Sequence, residues 1–179
     1  MTAVPAQDPD PPTPADRTVA QLAETSSLEL LRLGYLLSGD RHRAEDLLQD
    51  TLLALHRRFG DAAMPLQRPV AYARRTMANL NISRSRRSSS SEVVVDLFDD
   101  VPAPTGSDPA DRDVLWQALR RLPVRQRTVL VLRYYDDATD ADIAAGLGCR
   151  LGTVRSLASR GLATLRRDPE LDFSNGGAR

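Results

Sequence analysis

Lysine is absent: all 24 basic residues of this 179-residue chain are arginine. That skew fits a GC-rich coding bias and carries no functional reading. The single cysteine, Cys149, excludes an internal disulfide and suits a reducing compartment. Aromatics are only 4% of residues, too few for a typical sandwich core, and the dominance of Leu, Ala and Arg favours helices. No apolar run approaches the ~20 residues needed to cross a bilayer, and the N-terminus does not read as a secretory signal, so the expected location is cytoplasmic, with no membrane partner. Two histidines, His42 and His56, are all there are. Neither stands in a nucleophile–base or metal-ligand constellation, and there is no glycine-rich phosphate loop, so no catalytic residue, metal or cofactor is expected.

What the chain does have is uneven charge. The net charge is zero, but residues 41–87 hold ten Arg against four acids. Residues 88–114 hold one Arg against seven acids, and residues 115–167 again hold ten Arg against four. Two basic segments flank an acidic one, and local fields govern attraction to a polyanion more than their sum does. Five prolines among residues 1–16 predict a disordered tail. Residues 88–113 open with a serine run and carry Asp96, Asp99, Asp100 and three prolines, the composition of a linker. Within it Val93-Val94-Val95 is too short to warrant a strand. The sign of the linker would let it lie over a basic surface. The ordered parts are then 17–87 and 114–167, with 168–179 a second frayed tail.

The organising stretch is Thr139–Arg167. Thr139 can cap a short helix burying Ile143, Ala144 and Leu147, and Gly148 can take the positive φ that ends it. A second helix from about Gly152 places Val154, Ala158, Gly161 and Leu165 on one face. The other face carries Thr153, Arg155, Ser156, Ser159 and Arg160, side chains suited to phosphates and base edges. This is the grammar of a helix-turn-helix, and a plain helical hairpin with a solvated face shares it. Ahead of it, Leu115, Leu119 and Leu122 form a stripe with Trp116 beside them, and Arg125–Tyr134 reads as a helix burying Val129, Leu130 and Leu132.

In the first basic segment a helix starts near Thr18 and gathers strength through Leu28, Leu31, Tyr35 and Leu36. Asp40 is placed to cap a helix over 41–59, with Ala44, Leu47, Leu48, Thr51, Leu52 and Leu55 inward. Asp46, Gln49 and Asp50 share its outer face; spacing alone favours an ordinary solvated surface there. Pro69 suits the first turn of a third helix running to Arg87. Val70, Ala73, Met77 and Leu80 line one side, while Arg74, Arg75, Asn79, Ser83, Arg84, Arg86 and Arg87 make a polar, cationic side. That pattern fits a nucleic-acid face or a surface helix equally.

Three stretches in series decide between these readings. LGYLLSGDRHRAEDLLQDTLLALHRRF (33–59), RPVAYARRTMANLNISRSRR (68–87) and WQALRRLPVRQRTVLVLRYYDDATDADIAAGLGCRLGTVRSLASRGLATLRR (116–167) closely resemble the extracytoplasmic-function sigma factors of bacterial RNA polymerase, in the sigma-E-like branch of the primary-sigma superfamily. The resemblance implies an all-α chain of two small helical domains, region 2 and region 4, joined by a flexible acidic linker. It implies a non-enzymatic, dissociable subunit that directs core polymerase to promoters. Asp46, Gln49 and Asp50 would then dock on the clamp helices of the largest subunit, and the second domain on the flap of the second-largest. The 69–87 helix would read and open the −10 segment. Asn79 would face an extruded base, with Ser83 on the same face and Arg74, Arg75, Arg84, Arg86 and Arg87 tracking phosphates. Arg150, Thr153, Arg155, Ser156, Ser159 and Arg160 would meet the duplex −35 element. An anti-sigma factor is a further implied partner.

Departures from the family pattern bear on promoter strength. Arg150 stands where a capping serine is common, Leu157 where a long polar residue is common, and Ser85 where an aromatic is common. Gly146 weakens its helix. A stand-alone helix-turn-helix regulator is the alternative, and it gives the first domain no purpose.

Overall fold

The computed structural model describes residues 18–62, 66–88, 109–169 and 171. Among them there are seven helices and no strand. The first module is a three-helix unit. In α1 (Val19–Ser38) the Thr18 side chain accepts from the Gln21 amide at 3.2 Å, and Gly39 closes the helix in the left-handed region at φ 88°. Asp40 follows at once and caps α2 (Arg41–Phe59), its carboxylate accepting from the Arg43 amide at 2.7 Å. So short a connection forces α1 and α2 antiparallel. Gly34 lets them touch: a Cβ there would lie 3.2 Å from the Ala44 carbonyl. α3 (Pro69–Ser88) packs on both. Leu30, Leu33, Leu37, Leu47, Leu55 and Met77 are fully buried between them.

Two apolar faces differ from the sequence expectation. On α1 the buried row is Leu22, Ser26, Leu30, Leu33 and Leu37, while Leu28 is 52% exposed. α1 is leucine-rich on more than one side, so periodicity alone admits two stripes. In the second module, α4 spans Pro109–Arg121. It therefore begins inside the stretch read as linker, with proline at its first turn, where a missing N–H costs nothing. On it Trp116 and Ala118 are buried, as is Leu122 just after its end, and Leu115 is 46% exposed.

The rest of the second module matches its expected pattern closely. α5 (Val124–Tyr134) buries the run Arg127–Leu132. α6 (Asp140–Leu147) is capped by Thr139, which accepts from the Asp142 amide at 3.1 Å, and ends at Gly148 with φ 60°. α7 (Leu151–Leu165) buries Val154, Ala158, Gly161 and Leu165. At Gly161 a Cβ would meet the Leu130 side chain at 2.8 Å, so glycine sets how closely α7 lies on α5. Asp168, assigned to a frayed tail, accepts from Arg121 Nη1 at 2.8 Å and belongs to the folded part. The 1–16 tail, residues 89–108 of the linker with Val93–Val95, and most of 168–179 lie outside the described residues.

The two modules pack against each other. α1 and α3 of the first meet α4, α5 and α6 of the second. Tyr35 on α1 stacks on Trp116 of α4, ring centroids 4.4 Å apart at 18°. Most of the buried apolar residues of both modules form one continuous cluster. This packing decides where the charged faces go.

Candidate nucleic-acid interface

α7 presents its polar side to solvent. With the apolar row fixed inward, Arg155, Ser159 and Arg160 are exposed, and Thr153 and Ser156 half-exposed beside them. Arg155 Nε lies 3.8 Å from Asp140 but keeps a largely exposed side chain. Asp140 is held in turn by Arg133, whose pKa is raised: burial pulls it down, but the hydrogen bonds and charges of Asp140 and Tyr134 together outweigh that. Arg150 occupies the N-cap with no side-chain hydrogen bond. The first amides of α7 and an exposed guanidinium therefore sit together at its positive end, an arrangement that receives a phosphate readily. Leu157 is half-buried against the core, so its departure from the family pattern serves packing.

α3 is placed differently. Arg74 is ion-paired to Glu29 on α1 and to Asp136 in the turn after α5. Burial lowers its pKa, partly countered by Tyr135. The Asn79 side-chain amide donates to the Gly146 carbonyl of α6 at 2.8 Å. Arg75 lies along the same helix turn, its Nε 2.9 Å from where a Cβ on Gly146 would be. A cleft of about 410 Å³ between α3 and α6 is lined by Arg74, Arg75, Asp136 and Gly146. Three residues expected at the −10 segment thus face the second module. Ser83 is half-exposed, and Arg86 and Arg87 are exposed at the C-terminal end of α3.

The acidic face of α2 is adjacent. Asp46 and Gln49 are exposed and Asp50 is half-exposed. Arg84 of α3 pairs with Asp50 and donates to the Asp46 carbonyl at 3.3 Å. The structure therefore brings one expected DNA contact onto the expected docking face. Leu53, at i+3 from Asp50 and i+4 from Gln49, is 44% exposed. The periodic reading passed over it.

Sequence reasoning also missed Glu29, Asp136 and Arg127. Glu29 and Asp136 act through partners far away in the chain, which no local pattern reveals. Arg127 was legible in principle, as a charge inside the buried run of α5. Gly146, read as a weakness of its helix, makes room for Arg75. No group of three or more potential metal ligands occurs among the described residues, and no described helix is long and apolar enough to cross a membrane.

Comparison with known proteins bears on both modules. Residues 22–91 match the family model described as Sigma-70 region 2, and residues 112–165 match Sigma-70, region 4. The chain is 34% identical over 142 residues to an RNA polymerase sigma-E factor of Streptomyces avermitilis, covering 79% of each. It is 32% identical over 160 residues to the ECF RNA polymerase sigma factor SigE of Mycolicibacterium smegmatis, covering 84% of this chain and 60% of that one. Among solved structures, the sigma factor RpoE of Bartonella quintana, in complex with the anti-sigma factor NepR, superposes with a TM-score of 0.62 at 28% identity. That match covers 82% of this chain and 92% of the other.

Proposed function

The chain belongs to the extracytoplasmic-function RNA polymerase sigma factors, and from that premise we propose how its surfaces divide the work of transcription initiation. Asp46, Gln49 and Asp50, with exposed Leu53 among them, dock on the clamp helices of the largest polymerase subunit through charge-assisted hydrogen bonds. The second module seats on the flap of the second-largest subunit. α7 enters the major groove of the duplex −35 element, with Arg155, Ser156, Ser159 and Arg160 nearest the bases and Thr153 and Arg150 at the phosphates. α3 captures the melted −10 strand. Asn79 offers both a donor and an acceptor to an extruded base, and Arg74, Arg75, Arg84, Arg86 and Arg87, with Ser83, follow the backbone. The role needs no covalent chemistry and no cofactor from this chain, and the expected setting is the cytoplasm.

The observation that carries this division is the tie between α3 and the second module. Arg74 and Asn79 are engaged by Asp136 and the Gly146 carbonyl, so −10 reading requires the modules to part. Polymerase, holding the two modules on separate subunits, does that and makes each weak contact intramolecular. The solved relative bound to an anti-sigma factor supports an anti-sigma partner that holds the chain in its closed form.

The test is run-off transcription with core polymerase on genomic fragments, alongside comigration of chain and core. Wild-type protein gives a defined start site. Asp46→Arg with Gln49→Arg abolishes comigration while the helical signal stays intact, and Arg155→Ala with Arg160→Ala lowers promoter use without touching comigration. A defined start site with the α2 double variant would refute the docking assignment.

A further inference from the structure

A second cavity between the modules, of about 250 Å³, shares only Arg84 with the residues assigned to promoter reading. Ser38, Arg43, Asn81, Arg84 and Ser85 line it from the first module, Val124 and Arg127 from the second. Among the described residues no carboxylate lines it. Arg127 is 6% exposed; among the described residues its Nε has no hydrogen-bond partner, and its side-chain bond runs from Nη1 to the Arg120 carbonyl at 3.3 Å. Among the described residues neither Arg127 nor Arg43 has a carboxylate within ion-pair distance. Burial, then the nearby charges of Arg120 and Arg43, push the Arg127 pKa down to about 10. The guanidinium therefore stays charged at neutral pH, buried and repelled by its neighbours. Buried charge without a partner is rare because it is costly. Val124 is the first residue of α5, whose Pro123 cap supplies no side-chain bond. The positive end of that helix faces the same space.

We propose that this cavity is a binding site for a small phosphate anion, one that holds the two modules together. Donors converge on it from three helices: guanidiniums from α2, α3 and α5, of which Arg84 also holds Asp50, the Ser85 hydroxyl, the second N–H of the Asn81 amide, whose first goes to the Leu37 carbonyl at 3.1 Å, and the first amides of α5. Donors spread in several directions suit a tetrahedral oxyanion better than a planar carboxylate. The unpartnered Arg127 Nε gains an acceptor, and like charges that oppose closure become joint ligands. Because the ligands come from both modules, the anion binds the closed form alone and stabilises it by mass action. The same chemistry could come from a free phosphate or from a nucleic-acid backbone, and a cavity of this size between packed helices favours the former.

The test is thermal melting of the full chain in rising inorganic phosphate, with chloride adjusted to constant ionic strength. It uses no polymerase and no promoter, so its failure leaves the sigma-factor reading standing. The midpoint rises and saturates with phosphate. Arg127→Met melts no lower than wild type without phosphate and loses the rise. Arg43→Gln, an exposed change that leaves the core intact, weakens the half-saturating concentration about ten-fold, as loss of one charge-assisted contact should. A non-saturating rise, or an equal rise in both variants, overturns the site. So does stabilisation by a short DNA duplex but not by phosphate. A phosphate effect that appears only after Glu92, Asp96, Asp99 and Asp100 are neutralised overturns it too, since the chain's own carboxylates would then fill the cavity.

Discussion

Asp136→Asn should loosen the closed form. The carboxylate is 11% exposed and the Arg74 side chain it meets is 27% exposed, so solvent screens the pair only partly. Fully exposed pairs contribute up to ~1 kcal/mol and hydrogen bonds to charged groups ~1.5–3 kcal/mol. Arg74 keeps Glu29, so the change does not strand a buried charge and the larger penalty for that does not apply. An estimate of about 2 kcal/mol follows, or about thirty-fold in the ratio of open to closed molecules. If only the open form binds single-stranded DNA, apparent affinity rises in proportion to the open fraction. Fluorescence anisotropy with a labelled single-stranded oligonucleotide should show that increase. The chain's one tryptophan, Trp116, should lose its stacking on Tyr35 and shift its emission. Asp137→Asn is the control: it removes the same charge next door at an exposed site whose φ of 47° asparagine tolerates. Equal affinities for Asp136→Asn and wild type, with unchanged emission, would refute the claim that this tie keeps α3 from DNA.

Three further changes test individual elements. Arg150→Ser supplies the cap that α7 lacks and should raise stability by about 1 kcal/mol in denaturant melts. Gly146→Ala and Gly161→Ala should have opposite signs. At Gly146 the nearest atoms to the new methyl belong to the Arg75 side chain, which is exposed and can swing away, leaving a helix-propensity gain of up to ~1 kcal/mol. At Gly161 it meets Leu130, itself 3% exposed, and the clash should cost about 1–3 kcal/mol before that gain is counted. Matching signs in the two melts would contradict the packing described for one of them.

The sequence was most legible where local chemistry suffices. Thr139, Gly148 and the Val154, Ala158, Gly161, Leu165 row act within one helix or its ends, and each is placed as its spacing implies. Asp40 and the bounds of α2 follow from the same logic. Legibility fails where a residue answers to something distant. Leu28 and Leu115 look as apolar as their neighbours, and only tertiary packing chooses Leu30 and Trp116 over them. Gly146 reads as a flaw until Arg75 is seen beside it. The candidate site residues were chosen by their chemistry and by family pattern. That Arg74 and Asn79 are held by the other module is a fact of contacts more than sixty residues apart in sequence, beyond any window of periodicity.

The distance between the two modules, measured before and after core polymerase is added, bears most directly on all of this. With Cys149 replaced by serine, fluorophores at Glu24 on α1 and Arg167 after α7, both exposed, report it by single-molecule energy transfer. The account predicts one compact population for the free chain and a shift to longer separation in the complex. A complex confirmed by comigration that keeps the energy transfer of the free chain would contradict it.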